Sequence, residues 1–192
     1  MLDIIKKTRT FRRFNQDKKL SEETLKELVE LARLGGSARN CQPWQYLLIT
    51  DPGTCNEIFP YLGWAGYLTD WKGPAEGERP AAYILCLLNR DWLKGSEKEA
   101  WFDLGLATQN LLLGAMEKGI GGCRIMSFSP KIADRFEFPD NLGLSLVIAL
   151  GYPVETVVLE DTGPDGDIRY YRDDRQIHHV PKRPLSDIIF KS

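Results

Sequence analysis

The 192 residues are 43% hydrophobic and carry a formal net charge of −2. That fits one domain with enough interior for a buried core, and it offers no bulk attraction for nucleic acid or an anionic membrane. No apolar run reaches the roughly 20 residues that span a bilayer, and four scattered cysteines without a CxxC pair argue against a zinc or iron–sulfur site.

The opening stretch, MLDIIKKTRTFRRF, lacks the apolar segment and small-residue cleavage site of a secretory signal. A cytoplasmic protein with free thiols is expected. Within that stretch RTFRRF, Arg9 to Phe14, places three arginines in five residues beside Thr10. Guanidinium groups grip phosphate through paired, charge-assisted hydrogen bonds, and a hydroxyl adds a donor. The alternative is a solvated basic patch.

Ser21 followed by two glutamates predicts a helix start, the serine capping free amides and the acids facing the positive end of the dipole. Leu25, Leu28, Val29 and Ala32 give it one apolar face, and Gly35-Gly36 ends it. The loop SARNCQPW, Ser37 to Trp44, then carries more polar groups than a connector needs. Asn and Gln side chains pair a donor with an acceptor, which suits an imide edge; otherwise they tie down their own backbone.

Gln45 to Thr50 predicts a strand, Asp51-Pro52-Gly53 a turn, and Glu57 to Leu62 a short helix. Gly63 to Pro80, rich in Gly, Pro, Trp and Tyr, is a loop of functional length. AAYILCLL, Ala81 to Leu88, is apolar throughout, as a strand buried on both faces should be. Ser96 to Glu99 is a capping box, and the helix it opens should run to about Lys118. Its second half predicts burial on all sides, partly against a second subunit. Asp103 and Gln109 on it are expected to be structural.

Gly121 to Ile125 predicts a strand after a tight turn, and Ser129-Pro130 a short helix. LSLVIAL, Leu144 to Leu150, is a further buried strand. From about Thr156 the chain is polar and extended. Ile168–Tyr171 and Ile177–Val180 are expected to form a hairpin, with a last turn at Ser186. His178 and His179 should point to opposite sides of a strand, which excludes a shared catalytic role. PKRPL, Pro181 to Leu185, holds two cations in a stiff backbone, as part of a phosphate site or as a surface tail. Several connections are too short for parallel crossovers. An α+β fold follows, with a mixed, mainly antiparallel sheet flanked by helices.

These segments in this order, RTFRRF, SARNCQPW, DLGLATQNLLLGAMEKGIGG, ALGYP and HHVPKRPL, resemble the nitroreductase family of FMN enzymes from about Arg9 to Leu185. The resemblance implies a single domain over residues 1–192, with 156–192 as an extended C-terminal arm. It implies a nitroreductase-like sandwich forming an intertwined homodimer, with FMN in the interface, NAD(P)H as electron donor, and a nitroaromatic or quinone as oxidant. Carried over by position, Arg9 holds the FMN phosphate and Thr10 the ribityl chain or phosphate. Arg12 faces N1 and the C2 carbonyl of the ring. Ser37 and Asn40 reach the flavin of the other subunit. The backbone at Met126 and Ser127 lies against the ring, and Arg183 with Lys182 returns to the phosphate. The resemblance supplies no covalent catalytic residue and no metal. Gly36, Arg39 and Cys41 depart from the family's usual loop, which bears on substrate preference. Dehalogenation, other flavin chemistry and non-catalytic flavin binding occur as alternatives on such a scaffold.

Overall fold

The computed structural model describes residues 1–190. A short helix α1 (Leu2–Lys7) leads into the two-residue strand β1 (Phe14–Asn15) and then α2 (Glu22–Arg33). Ser21 caps α2 by accepting from the Thr24 amide at 3.1 Å. Strand β2 (Trp44–Ile49) follows the SARNCQPW loop.

Asp51-Pro52-Gly53 is a helix start rather than the expected turn. Helix α3 runs Pro52–Ile58 and passes into a 3₁₀ turn at Phe59–Tyr61. The physical reason is the Asp51 carboxylate, which accepts from the Thr54 amide at 2.7 Å, while Pro52 suits the first helical turn.

Strand β3 (Ala82–Asn89), helix α4 (Glu97–Glu117) and strand β4 (Gly121–Ile125) stand where the pattern predicts them. The capping box of α4 is formed in both directions, between Ser96 and Glu99. Helix α5 (Lys131–Asp134) precedes β5 (Leu142–Pro153), which is longer than expected. Its last residues continue past the apolar run because Tyr152 and Pro153 pair with β1. The tail forms β6 (Val157–Asp161), β7 (Tyr171–Arg172), β8 (His178–Lys182) and a last turn, α6 (Leu185–Ile188).

Strand β5 is the spine of a five-stranded antiparallel sheet. It pairs with β3, β4 and β1, and β3 pairs in turn with β2. All eight residues of β3 are buried because the sheet is covered on both faces. Ile84 and Cys86 face α2 and α4, while Tyr83 and Leu85 face α3 and Ile125. Helices α2 and α4 approach closely at Gly114, where a Cβ would meet Leu31. The fold is a mixed α+β sandwich, as expected. The tail adds what the sequence did not suggest, a parallel pairing of β6 with β8 beside the antiparallel β7–β8 hairpin.

The apolar second half of α4, Leu111 to Met116, is buried or half-buried throughout, as expected, while the first half leaves Phe102 70% and Leu106 43% exposed. No helix of the described residues is long and apolar enough to cross a membrane.

Candidate cofactor site

The RTFRRF segment is extended, and its side chains divide between interior and cavity. Phe11 and Phe14 are buried. The Phe11 amide donates to the Gly122 carbonyl at 3.1 Å, and Thr10 bridges Gly122 in parallel. The segment is thereby laid along β4. The buried Glu155 side chain fixes its backbone from the other side, accepting from the amides of Arg12 and Arg13. Glu155 also pairs with Arg172 at 3.0 Å, and the Arg172 guanidinium lies 4.2 Å from the Trp71 ring. Arg13 turns away to a bidentate pair with Glu78.

What remains facing outward is a cavity of about 370 Å³. Its wall carries Arg9, Arg12, Arg124 and Lys182, together with Thr10 and His178, and no carboxylate. None of those four cations makes a salt bridge among the described residues. Arg9 donates from Nη2 to the Ile5 carbonyl at 2.5 Å, while its buried Nε has no partner. Burial lowers the pKa of Arg9 and of Arg124, yet a guanidinium stays charged in proteins. Concentrated positive charge with an orphaned donor has the chemistry to hold an anion.

Arg12 is clamped in place. Its Nη1 lies 3.1 Å from His178 Nε2, and its guanidinium sits 4.7 Å from the centre of the Tyr170 ring. Two adjacent cations and burial push the His178 pKa down to about 4, burial being the largest cause. The ring is therefore neutral at pH 7 and accepts from Arg12.

The structure brings together Arg9, Thr10, Arg12 and Lys182, and leaves the other candidates elsewhere. Lys182 faces the cavity; Arg183, one residue on, is exposed and off its wall. Ser37 and Asn40 lie in the loop at the end of α2. Ser37 Oγ donates to Asp103 at 2.8 Å and accepts from the Gln42 amide at 2.9 Å. Asn40 Oδ1 accepts from Gln42 Nε2 at 2.8 Å. Arg39, Asn40 and Gln42 all hold positive φ, a strained backbone for such residues. Trp44 anchors the loop by donating from Nε1 to the Ala100 carbonyl at 2.9 Å. A second cavity of about 450 Å³ opens beside Ser37, lined by Gly36, Cys41, Tyr46 and Trp92. It is the more apolar of the two, and it lacks the cation cluster. Met126 and Ser127 are exposed at the end of β4, where the Ser127 carbonyl accepts from the Gly63 amide at 2.7 Å.

Several residues of the site escaped the sequence reading. Arg124 had a signal, being the one charge in the strand GGCRI. Glu155 and Tyr170 had none, because long-range folding alone brings them here. The loop from Gly63 to Pro80 touches the cavity wall where the Tyr67 amide donates to the Tyr170 hydroxyl at 3.3 Å.

The chain resembles known proteins in sequence and in fold. The sequence model of the Nitroreductase family matches residues 5–66, which contain RTFRRF and SARNCQPW. Over that stretch the chain is similar to this family. It is 26% identical over 174 residues to an iodotyrosine deiodinase of Thermotoga neapolitana, covering 80% of this chain and 88% of that one. It is 27% identical over 168 residues to a Methanothermobacter thermautotrophicus protein named as an NADH dehydrogenase/NAD(P)H nitroreductase, covering 81% and 78%. In fold, the chain is similar to a nitroreductase from Desulfovibrio desulfuricans solved in complex with FMN. The TM-score is 0.70 at 22% identity, over 100% of this chain and 95% of that one. A Nitroreductase Family Protein from Streptococcus pneumoniae gives a TM-score of 0.70 at 19% identity, over 100% and 99%.

Proposed function

We propose that the protein is an FMN-dependent NAD(P)H oxidoreductase, acting as a homodimer on a small oxidant such as a nitroaromatic or a quinone. The observation that carries this reading is the cavity lined by four cations and no carboxylate. Its donors fit a phosphate monoester, and the orphaned Arg9 Nε gives that anion a specific partner. The named relatives and the FMN-bound fold neighbour support the flavin.

FMN, when bound, supplies the redox chemistry by accepting and releasing a hydride at N5. The chain's part is placement and charge. Arg9, Thr10 and Lys182 hold the phosphate, with Arg183 at the rim. Arg12, oriented by His178 and Tyr170, presents positive charge to the pyrimidine edge. A cation about 4 Å from developing negative charge is worth about 4 kcal/mol at an effective dielectric near 20, on the order of 85 mV for a two-electron couple before solvent screening. Ser37 and Asn40 serve the flavin held mainly by the other copy, and the backbone at Met126 and Ser127 flanks the ring. The loop from Gly63 to Pro80 shapes the oxidant pocket.

The second copy is supported by apolar surface that a lone chain leaves wet. Phe102 and Leu106 on α4 and Leu2 and Ile5 on α1, two helices packed together, are exposed. So are Leu185, Ile188, Ile189 and Phe190 of the arm. Apolar side chains exposed in such number mark an association surface.

Reductive dehalogenation is the second reading, favoured by the deiodinase relative. The test is anaerobic: FMN-loaded protein receives NADH or NADPH, and loss of flavin absorbance is followed. Nitrofurazone, menadione or a halotyrosine is then added. Reoxidation by the first two supports the proposal, and selective turnover of the halotyrosine moves it to dehalogenation. Bound FMN that neither nucleotide reduces overturns both.

A further inference from the structure

Three of the cavity's cations come from the terminal segments, and Arg124 alone comes from the central sheet, on β4. Its guanidinium crosses to α4, where Nε donates to Thr108 Oγ1 at 2.9 Å and Nη2 to Gln109 Oε1 at 2.8 Å. Thr108 is fully buried, and its hydroxyl donates onward to the Leu104 carbonyl at 2.7 Å, leaving its oxygen free to accept. The anchor is therefore rigid and fully committed.

Both of its acceptors are neutral, as are those of Arg9 and Arg12 in the same cavity. Arg13, Arg33, Arg39, Arg135, Arg169 and Arg172 each take a carboxylate. Arg124 is held by a hydroxyl and an amide, so its direction is fixed while its charge is left uncancelled. Its Nη1 makes no hydrogen bond to the described residues. Arg124 is the exposed residue of the otherwise buried strand β4, so its charge is open to the cavity. An anion that enters the cavity meets it directly.

We infer that Arg124 is an anion-recognising residue that makes this cavity select a phosphate monoester, FMN over uncharged riboflavin. The inference rests on the FMN reading for the ligand's identity, and on Arg124's own geometry for its charge. Arg9, Arg12 and Lys182 lie on segments that fold in from the chain ends. Arg124 is a fixed point on the sheet against which they close. Thr108 and Gln109 are positioning residues, acting through Arg124.

The test compares wild type with R124Q, R124K and T108V by titrating FMN and riboflavin separately, with fluorescence quenching as the readout. Loss of one charge-assisted donor weakens FMN binding by about 10- to 100-fold in R124Q and leaves riboflavin affinity unchanged. R124K, which keeps the charge, retains most of the preference, and T108V shifts it in the same direction as R124Q by a smaller factor. Equal losses for both flavins, or no loss for either, overturn the inference; should R124Q not fold, an unchanged ratio in T108V does so. A parallel arm measures melting temperature with inorganic phosphate. If wild type binds neither flavin, the FMN reading fails. A phosphate-induced rise present in wild type and absent in R124Q then keeps Arg124 as an anion site, and no rise in wild type ends that too.

Discussion

His178 and His179 are neighbours on β8, and the pleat sends their rings to opposite sides. His178 meets Arg12 and is held neutral; His179 meets Glu160 at 2.9 Å, which raises its pKa. Their pH dependences therefore run in opposite directions. For His178 the folded value, about 4, lies below the unfolded 6.5. Its contribution to stability is complete above about pH 6.5 and is lost as pH falls through 4, on the order of 3 kcal/mol in all. For His179 the raised value means stabilisation present below its unfolded pKa and lost as pH rises past the folded one. Urea midpoints measured from pH 7 to pH 4 should fall more steeply in wild type than in His178→Gln. Glutamine still offers Arg12 an acceptor but takes up no proton. In the FMN-loaded protein, Arg12→Gln should lower the flavin midpoint potential, read by dye-equilibrated titration; an unchanged potential would place Arg12 away from the ring.

Asp103 shows how a residue can look idle in sequence and still hold a site together. It is buried in α4 and accepts from Ser37 Oγ and from the Ala38 amide at 3.0 Å. Asp103→Ala strands both donors and should destabilise the fold by about 1–3 kcal/mol. Asp103→Asn, which keeps one acceptor, should lose less. Denaturant unfolding of the two variants checks the order.

Local signals at the level of elements were as good as their chemistry. The serine caps of α2 and α4, the two-faced apolar run of β3 and the glycine stop before β4 are all short-range physics, and each element stands where that physics puts it. Asp51-Pro52 carried two meanings, turn and helix cap, and only the Thr54 amide decides between them. The β6–β8 pairing was invisible because polar strands in a tail show no periodicity and find their register through distant partners. Within the candidate site, the cation cluster of RTFRRF was legible because charge density is local. Arg124, Glu155 and Tyr170 were not, since only the folded chain brings them to it. The mixed exposure of α4 also belongs to this scale. Gly105 has open space above it, and Phe102 and Leu106 flank it on the exposed face. Phe102→Glu should leave the chain folded by circular dichroism yet shift it toward monomer in sedimentation and weaken FMN retention. A dimer that survives with full cofactor would remove α4 from the interface.

Taken as a whole, the molecule folds both ends of its chain against one edge of a sheet and gathers like charges where they meet. Such a cluster opposes its own assembly until an anion arrives. Added FMN should therefore raise the melting temperature in a concentration-dependent way, by about 2.7 kcal/mol of stability at a hundredfold excess over Kd. High salt should shrink the gain by screening the cations.

The segment between Gly63 and Pro80 is fastened at separate points. Gly63 lies so close to Ser127 that a Cβ there would collide with its side chain, Tyr67 meets Tyr170, Trp71 lies against Arg172, and Gly77 and Glu78 close the far end on Gln16 and Arg13. Between these rivets the stretch joins no sheet ladder. Descendant lineages can rewrite the positions between those contacts without disturbing the charged cradle beneath. On the proposed function, substrate taste and cofactor loyalty are thus free to evolve on separate clocks.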